Sequence, residues 1–323
     1  MKYLLIGGSG FIGTNLSRFL IQKGHEVSIA DNNSFHQDSN LEDLRESCKF
    51  YGVDVLDSVE LKKLVQKAQP DYIFHMAGVV GIENYLKSPE LVVETNIIGV
   101  KNVINICEEF DIPMLFTSTS EVLGKNNNNP WKEDADRLYG SATVDRWVYG
   151  VSKGIAEQII NIHARENALK ATIVRFFNIY GPGQRPGFVV SKSIYHILRD
   201  EQPLLYDNGN QQRCFTYIDD TVEALYEIAK SDKSYGETFH IGSNFEYSVL
   251  ELMKLIYEVT GKSYDALDYN TNKNLGKVYE DIDRRVPDVS KIKEVLNWKA
   301  ETDLRQGLEN YLNWITKNQW WLR

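Results

Sequence analysis

The sequence predicts an α/β protein: a doubly wound parallel sheet with helices on both faces, followed by a smaller C-terminal lobe. Three observations predict it. Short apolar runs alternate with helix-length amphipathic stretches over the first three-fifths of the chain. A glycine cluster follows the first apolar run directly and opens the first amphipathic stretch. Beyond about Tyr180 the alternation loosens into short runs and loops containing proline and glycine.

The expected strands are Tyr3–Ile6, Glu26–Ala30, Lys49–Val53, Tyr72–His75, Pro113–Thr117 and Ala171–Arg175. Each is a brief apolar run, as in a strand covered on both faces. Helices are expected at Phe11–Lys23, Ser58–Lys67, Leu91–Glu109 and Val151–Glu166, then at Val190–Leu198 and Tyr247–Val259. The expected division is a first domain of residues 1–179 and a second lobe of 180–323, with some segments returning to the sheet. Lys125–Thr143, which holds the run Asn126–Asn129, reads as a loop of a length often tied to function.

At 323 residues and 42% hydrophobic content the chain can bury a large core. A net charge of −9 leaves no cationic surplus for a nucleic-acid backbone, so no nucleic-acid partner is expected. Cys48, Cys107 and Cys214 lack CxxC spacing and read as reduced intracellular thiols, with no metal site. The apolar opening meets Gly7 too soon for a secretory signal, and no run approaches the roughly 20 residues that cross a bilayer. The expectation is a cytoplasmic protein without a membrane partner. The tryptophan-rich tail, Trp314 to Arg323, is expected to dock on the second lobe.

Gly7-Gly8-Ser9-Gly10-Phe11-Ile12-Gly13 stands between a strand and a helix. Gly7 permits the tight turn, Gly10 lets backbone approach a pyrophosphate, and Gly13 allows helix and strand to pack closely. The pyrophosphate would rest on free N–H groups at the helix start, around Phe11 and Ile12. Asp31 closes the second strand, where a carboxylate accepts ribose hydroxyls and repels a 2′-phosphate. NAD is therefore expected rather than NADP. Asp54 and Val55 close the third strand, where a carboxylate can meet the adenine amino group. Ala77 lies in His75-Met76-Ala77-Gly78 after the fourth, where small residues let the chain pass the nicotinamide ribose. His75 itself reads as a packed core residue.

Tyr149 and Lys153 stand at i and i+4, on one face of a helix. A phenol with a pKa near 10 is a poor base at neutral pH. A cation one turn away and the positive nicotinamide both favour phenolate. The partner upstream is Thr119, placed to hydrogen-bond the oxygen that Tyr149 deprotonates, with Ser120 and Glu121 beside it. Lys153 also counts among the cofactor-binding residues.

These residues together resemble the extended short-chain dehydrogenases/reductases, specifically the NAD-dependent sugar-nucleotide epimerase/dehydratase family with its Rossmann-type sheet. The likeness runs essentially end to end. It implies substrate contacts from Asn178, in Arg175–Pro182, and from Arg213, in Gln212–Asp220. It implies a further diphosphate contact from Arg285, in Asp283–Asp288. The family often has Tyr where this chain has Leu123, so a hydroxyl near the sugar is expected to be missing.

The resemblance implies oxidation of a nucleoside-diphosphate sugar to a 4-keto intermediate, with UDP-sugars favoured. Thr119–Glu121, Arg146-Trp147-Val148-Tyr149 and Arg213–Thr216 resemble runs of UDP-glucuronate decarboxylases. Ser120 stands where many 4,6-dehydratases want an aspartate. Decarboxylation or C4 epimerisation is thus expected ahead of 4,6- or 5,6-dehydration. A non-catalytic NAD sensor is the alternative class, and Tyr149 and Lys153 beside Thr119 argue against it. A homodimer is expected through apolar stripes on Leu91–Glu109 and Val151–Glu166.

Overall fold

Alternation along the strands sets the architecture. In the first strand Tyr3 and Leu5 join the core on one face of the sheet, Leu4 and Ile6 the core on the other. Tyr72 and Phe74 against Ile73, and Leu115 against Met114 and Phe116, repeat that period of two. The computed structural model describes residues 1–33, 40–81, 85, 87–270 and 280–323.

The main sheet holds β1 (Lys2–Ile6), β2 (Glu26–Asp31), β3 (Cys48–Gly52), β4 (Tyr72–His75), β5 (Met114–Thr119), β6 (Ala171–Phe176) and β7 (Thr238–Ile241). Their spatial order is β7-β6-β5-β4-β1-β2-β3, and every pairing is parallel. The order reverses between β1 and β4, which opens a crevice at the carboxyl ends of those strands. The fold is therefore the doubly wound Rossmann-type sheet that the sequence predicts. β7 adds a strand that the sequence reading lacks, from far beyond residue 180. β3 departs from the expectation of two covered faces: it is an edge strand and leaves Phe50 exposed.

Helix α1 (Phe11–Gln22) packs one face with the helix Ile218–Ala229, where Phe19 meets the Tyr226 ring. Helices α2 (Ser58–Ala68), α3 (Val100–Phe110) and α4 (Val148–Glu166) lie on the other face. The expected helix Leu91–Glu109 is interrupted. A helix at Pro89–Glu94 passes through a π-helical turn, Thr95–Gly99, before α3 begins. Helix α4 starts earlier than the expected Val151, because a 3₁₀ turn at Asp145–Trp147 feeds it. That extension puts Tyr149 in the first helical turn.

The rest of the chain forms small sheets beside the carboxyl edge. Gln212–Cys214 pairs antiparallel with Glu246–Ser248 and parallel with Arg284–Arg285. Ser248 and Glu251 form a capping box that starts the helix Val249–Thr260. The aromatic tail docks here as expected: Trp321 is buried, packs on Tyr195 and Tyr311, and donates its indole N–H to Gln184 O at 2.8 Å. Among the described residues no helix is long and apolar enough to cross a membrane.

The glycine turn shows how close packing sets the crevice. Gly7 has φ +78°, and a Cβ there would lie 2.4 Å from Ala77 N. A Cβ on Gly13 would lie 2.5 Å from Gly8 O, whereas one on Gly10 would meet only Gly7 O, at 3.6 Å. Gly13→Ala should therefore lower the unfolding free energy by about 1–3 kcal/mol through overpacking. Gly10→Ala should unfold within error of the wild type, as chemical denaturation would show.

Candidate functional site

The site is built where β1, β4 and β5 end and α1 and α4 begin. The N-terminus of α1 has Gly10 as its cap residue, which has no side chain to cap the free N–H groups. The Ser9 hydroxyl beside it is buried without a hydrogen-bond partner among the described residues. An uncapped helix start with an orphan hydroxyl fits an anionic phosphate group. Phe11 and Ile12, the first residues of α1, are half-buried and pack on the core below.

Asp31 ends β2 and accepts from Ser9 N at 3.0 Å and Asn33 N at 2.8 Å, so the carboxylate is tied to the glycine turn. Asp54 lies just past β3, in the turn before α2. It accepts from Leu56 N at 2.9 Å and from Asn32 Nδ2 at 2.8 Å. Val55 is buried, close enough to Gly99 that a Cβ there would sit 2.8 Å from it. Ala77 is half-buried and backs directly on Gly7. These positions line one continuous edge, and the residues present fit a dinucleotide.

On the other side of Ala77 lie the hydroxyls and the lysine. Lys153 is buried, donates to Thr117 O at 2.9 Å, and stands 4.4 Å from the centre of the Phe116 ring. Burial lowers its pKa to about 7, with Glu157 acting the other way. Tyr149 is buried and stacks on Tyr85, with ring centres 4.8 Å apart and planes 10° apart. Burial pushes its phenol up, Glu121 adds to that, and a hydrogen bond with Thr119 opposes both. The protein's own groups therefore hold Tyr149 as a phenol. His75 is buried against Phe116 and its pKa falls to about 3, through burial first and then Lys153. It is a neutral core residue, as the sequence suggests.

Thr119 ends β5 and caps the 3₁₀ turn Ser120–Leu123, accepting from Glu121 N at 3.2 Å. Helix α4 lies directly on this turn because residue 150 is glycine: a Cβ there would be 2.5 Å from Glu121 O. Ser120 is buried within the turn. Glu121 is held between two guanidinium groups, Arg146 at 2.5 Å and Arg285 at 3.2 Å. Burial pushes its carboxyl up, but Arg146 and Arg285 outweigh that and hold it below its ordinary value. Leu123 is fully buried with Val122, Trp131, Trp147 and Phe177. At this position the chain supplies apolar packing and no hydroxyl.

Arg285 also donates to Asn178 Oδ1 at 3.4 Å, while Asn178 Nδ2 donates to Cys214 O at 3.0 Å. Arg285 Nε is buried without a hydrogen-bond partner among the described residues. Arg213 is in register with Arg285 on the adjacent strand. Its guanidinium bonds Asp281 at 3.0 Å and the carbonyl oxygens of Gln212 and Asp283. The structure thus gathers Thr119, Ser120, Glu121, Tyr149, Lys153, Asn178 and Arg285 into one cluster, and sets Arg213 beside it on Asp281.

Two residues at this cluster escape the sequence reading as site residues. Arg146 stands three positions before Tyr149, a spacing that puts it near the same helix start, and that signal was available. Tyr85 meets Tyr149 in a ring contact that no local spacing encodes. Among the described residues no group of acidic, histidine and cysteine side chains could hold a metal ion.

Known proteins with this architecture are numerous. A decarboxylase of UDP-N-acetyl-α-D-glucosaminuronate from Bacillus cytotoxicus is 35% identical over 317 residues, 97% of either chain. UDP-glucuronic acid decarboxylase 1 of Arabidopsis thaliana is 31% identical over 95% of this chain and 68% of its own. The crystal structure of UDP-glucuronic acid 4-epimerase from Bacillus cereus, in complex with UDP-glucuronic acid and NAD, has a TM-score of 0.87 at 26% identity. It covers 98% of this chain and 100% of that one. The family model described as GDP-mannose 4,6 dehydratase matches residues 4–311, and the chain belongs to that family.

Proposed function

We propose that this protein is an NAD-dependent enzyme that oxidises a nucleoside-diphosphate uronate at C4 and decarboxylates the resulting 4-keto sugar. The observation that carries this reading is Glu121 clamped by Arg146 and Arg285 beside the Thr119–Tyr149 pair. The two guanidinium groups gathered on this carboxylate place cationic hydrogen-bond donors next to the phenol. An anionic sugar suits those donors better than a neutral one.

The cofactor is NAD, which the α1 N-terminus would hold at its diphosphate and the Asp31 carboxylate at a ribose. When bound it supplies an acceptor for hydride and a positive ring near Tyr149. Tyr149 takes the C4 hydroxyl proton, Thr119 orients that oxygen, and Lys153 supplies a cation one helical turn away. The ionised Glu121 cannot act as an acid near neutrality. It aligns Arg146 and Arg285, whose donors hold a sugar carboxylate or the diphosphate. Loss of carbon dioxide from the β-keto acid sends the electron pair of the broken C5–C6 bond to the C4 oxygen, which becomes an enol as Tyr149 returns its proton. Protonation at C5 restores the ketone, and return of the hydride to C4 would give a product lighter by carbon dioxide alone. Asn178 and Arg213 lie toward the lobe beyond residue 180, which would hold the nucleoside diphosphate. The names of the relatives support a uronate.

Incubation of the NAD-loaded protein with UDP-glucuronate and UDP-N-acetylglucosaminuronate, read by mass and NMR, tests the proposal. A product lighter by carbon dioxide is expected, and Tyr149→Phe should lower kcat by roughly 10²–10⁴-fold while NAD binding persists. A product of unchanged mass with a new C4 configuration would instead make the enzyme an epimerase. No turnover of any nucleotide sugar would sink the reading.

A second copy of the chain is the proposed partner. Leu91, Ile98, Val151, Ile155 and Ile162 are exposed along Pro89–Glu94, the π-helical turn and α4. An apolar row of that kind on two neighbouring helices suits a four-helix interface. Light scattering should show a dimer, and Ile155→Asp should shift it toward monomer. A wild-type monomer at micromolar concentration would contradict the assignment.

A further inference from the structure

Tyr149, Lys153 and Glu157 form a stripe at i, i+4 and i+8 of α4, yet the chemistry above uses only the first two. Glu157 is fully buried. Its Oε1 accepts from Ser118 Oγ at 2.5 Å and Arg175 Nε at 2.9 Å. Its Oε2 accepts from Arg137 Nη2 at 2.5 Å and Arg175 Nη2 at 2.8 Å. One carboxylate so joins α4 to β5, to β6 and to the long segment of residues 125–143.

The attachments surround the reacting pair. Ser118 lies between Thr117, whose carbonyl receives the Lys153 ammonium, and Thr119, the partner of Tyr149. Arg137 also donates from Nη1 to Gly154 O at 2.7 Å. Tyr139, two residues on, donates to Gly150 O at 3.1 Å and Val122 O at 2.7 Å. The backbone of α4 is therefore gripped at 150 and 154, on either side of Lys153. The same segment reaches the strand of Arg285, since Trp131 N donates to Val286 O at 2.8 Å. Arg175 continues the network to Glu133 O at 2.8 Å.

We propose that Glu157 is a positioning residue: with Ser118, Arg137 and Arg175 it fixes the height of α4 on β5, and so the placement of Tyr149 and Lys153 against Thr119. The proposal rests on the roles given above to Tyr149 and Lys153. A saturated carboxylate does this better than apolar packing, because each of its four hydrogen bonds has a direction and none can slide along the helix. Removing its charge leaves the buried Arg175 and the partly buried Arg137 without their shared carboxylate.

The test uses NAD-loaded protein carrying Glu157→Gln, with Arg137→Met and Ser118→Ala as milder variants should the first fail to fold. Hydrogen–deuterium exchange needs no substrate, and amides of residues 148–157 should exchange about tenfold faster while β1 to β3 stay unchanged. Turnover of a UDP-uronate, counted per NAD-binding site, should show kcat lowered by about tenfold or more, with KM within about twofold. The isotope effect on kcat from deuterium at C4 should rise, because a misplaced base slows the hydride step. A merely structural role would reduce the folded fraction and leave kcat per site and the isotope effect at wild-type values; that result overturns the proposal. Unchanged exchange at 148–157 overturns it as well. If the wild type turns over no uronate, the proposed chemistry fails by itself, and the exchange result alone decides whether Glu157 anchors the pair.

Discussion

The constraint behind the site is a lysine ammonium placed where water does not reach it. Burial draws the Lys153 pKa down to about 7, and one carbonyl oxygen and one aromatic face are its nearest partners. A cation so poorly solvated is held by the fold, and its field is little screened. The carbonyl of Thr117 at the end of β5, the early start of α4 and the glycine at 150 all serve to bring helix and strand close around it. Tyr149 lies one turn away, on the same stripe.

Charge on the other side of the phenol has a different purpose. Glu121 makes Tyr149 a weaker acid, and the hydrogen bond with Thr119 opposes that effect. Arg146 and Arg285 meet on Glu121 and bring two guanidinium groups to this side of the site. The chain as a whole has a net charge of −9. Anionic sugar nucleotides are then drawn to the crevice while the remaining surface repels them. The geometry also explains how a short turn, Ser120–Leu123, can present a carboxylate so firmly. Thr119 caps it, Gly150 lets the helix rest on it, and the buried Val122 and Leu123 pin it from below.

Much of this was legible in the sequence, and the reason is local periodicity. Strands covered on both faces read as apolar runs, so β1, β2, β4, β5 and β6 were found within a residue or two of their ends. The glycine turn was legible because its spacing reflects close approach of backbone to backbone. β7 was not, since Thr238–Ile241 is four residues long, includes the buried His240, and follows a long excursion through the second lobe. The interruption of the helix before α3 was missed because the residues of the π-helical turn keep the apolar spacing of a continuous helix. Arg146 was signalled by its spacing from Tyr149, whereas Tyr85 and the bonds of Glu157 arise from tertiary contacts that a sequence read in one dimension does not contain.

Spectroscopic titration of Tyr149 in the NAD-bound protein probes the central claim most directly. The phenolate signal is taken as the difference between wild type and Tyr149→Phe, each saturated with NAD. With the nicotinamide charge added to that of Lys153, the phenol should ionise near about pH 7, in the range a working base requires. Ionisation only above about pH 10, as for an ordinary tyrosine, would contradict the account.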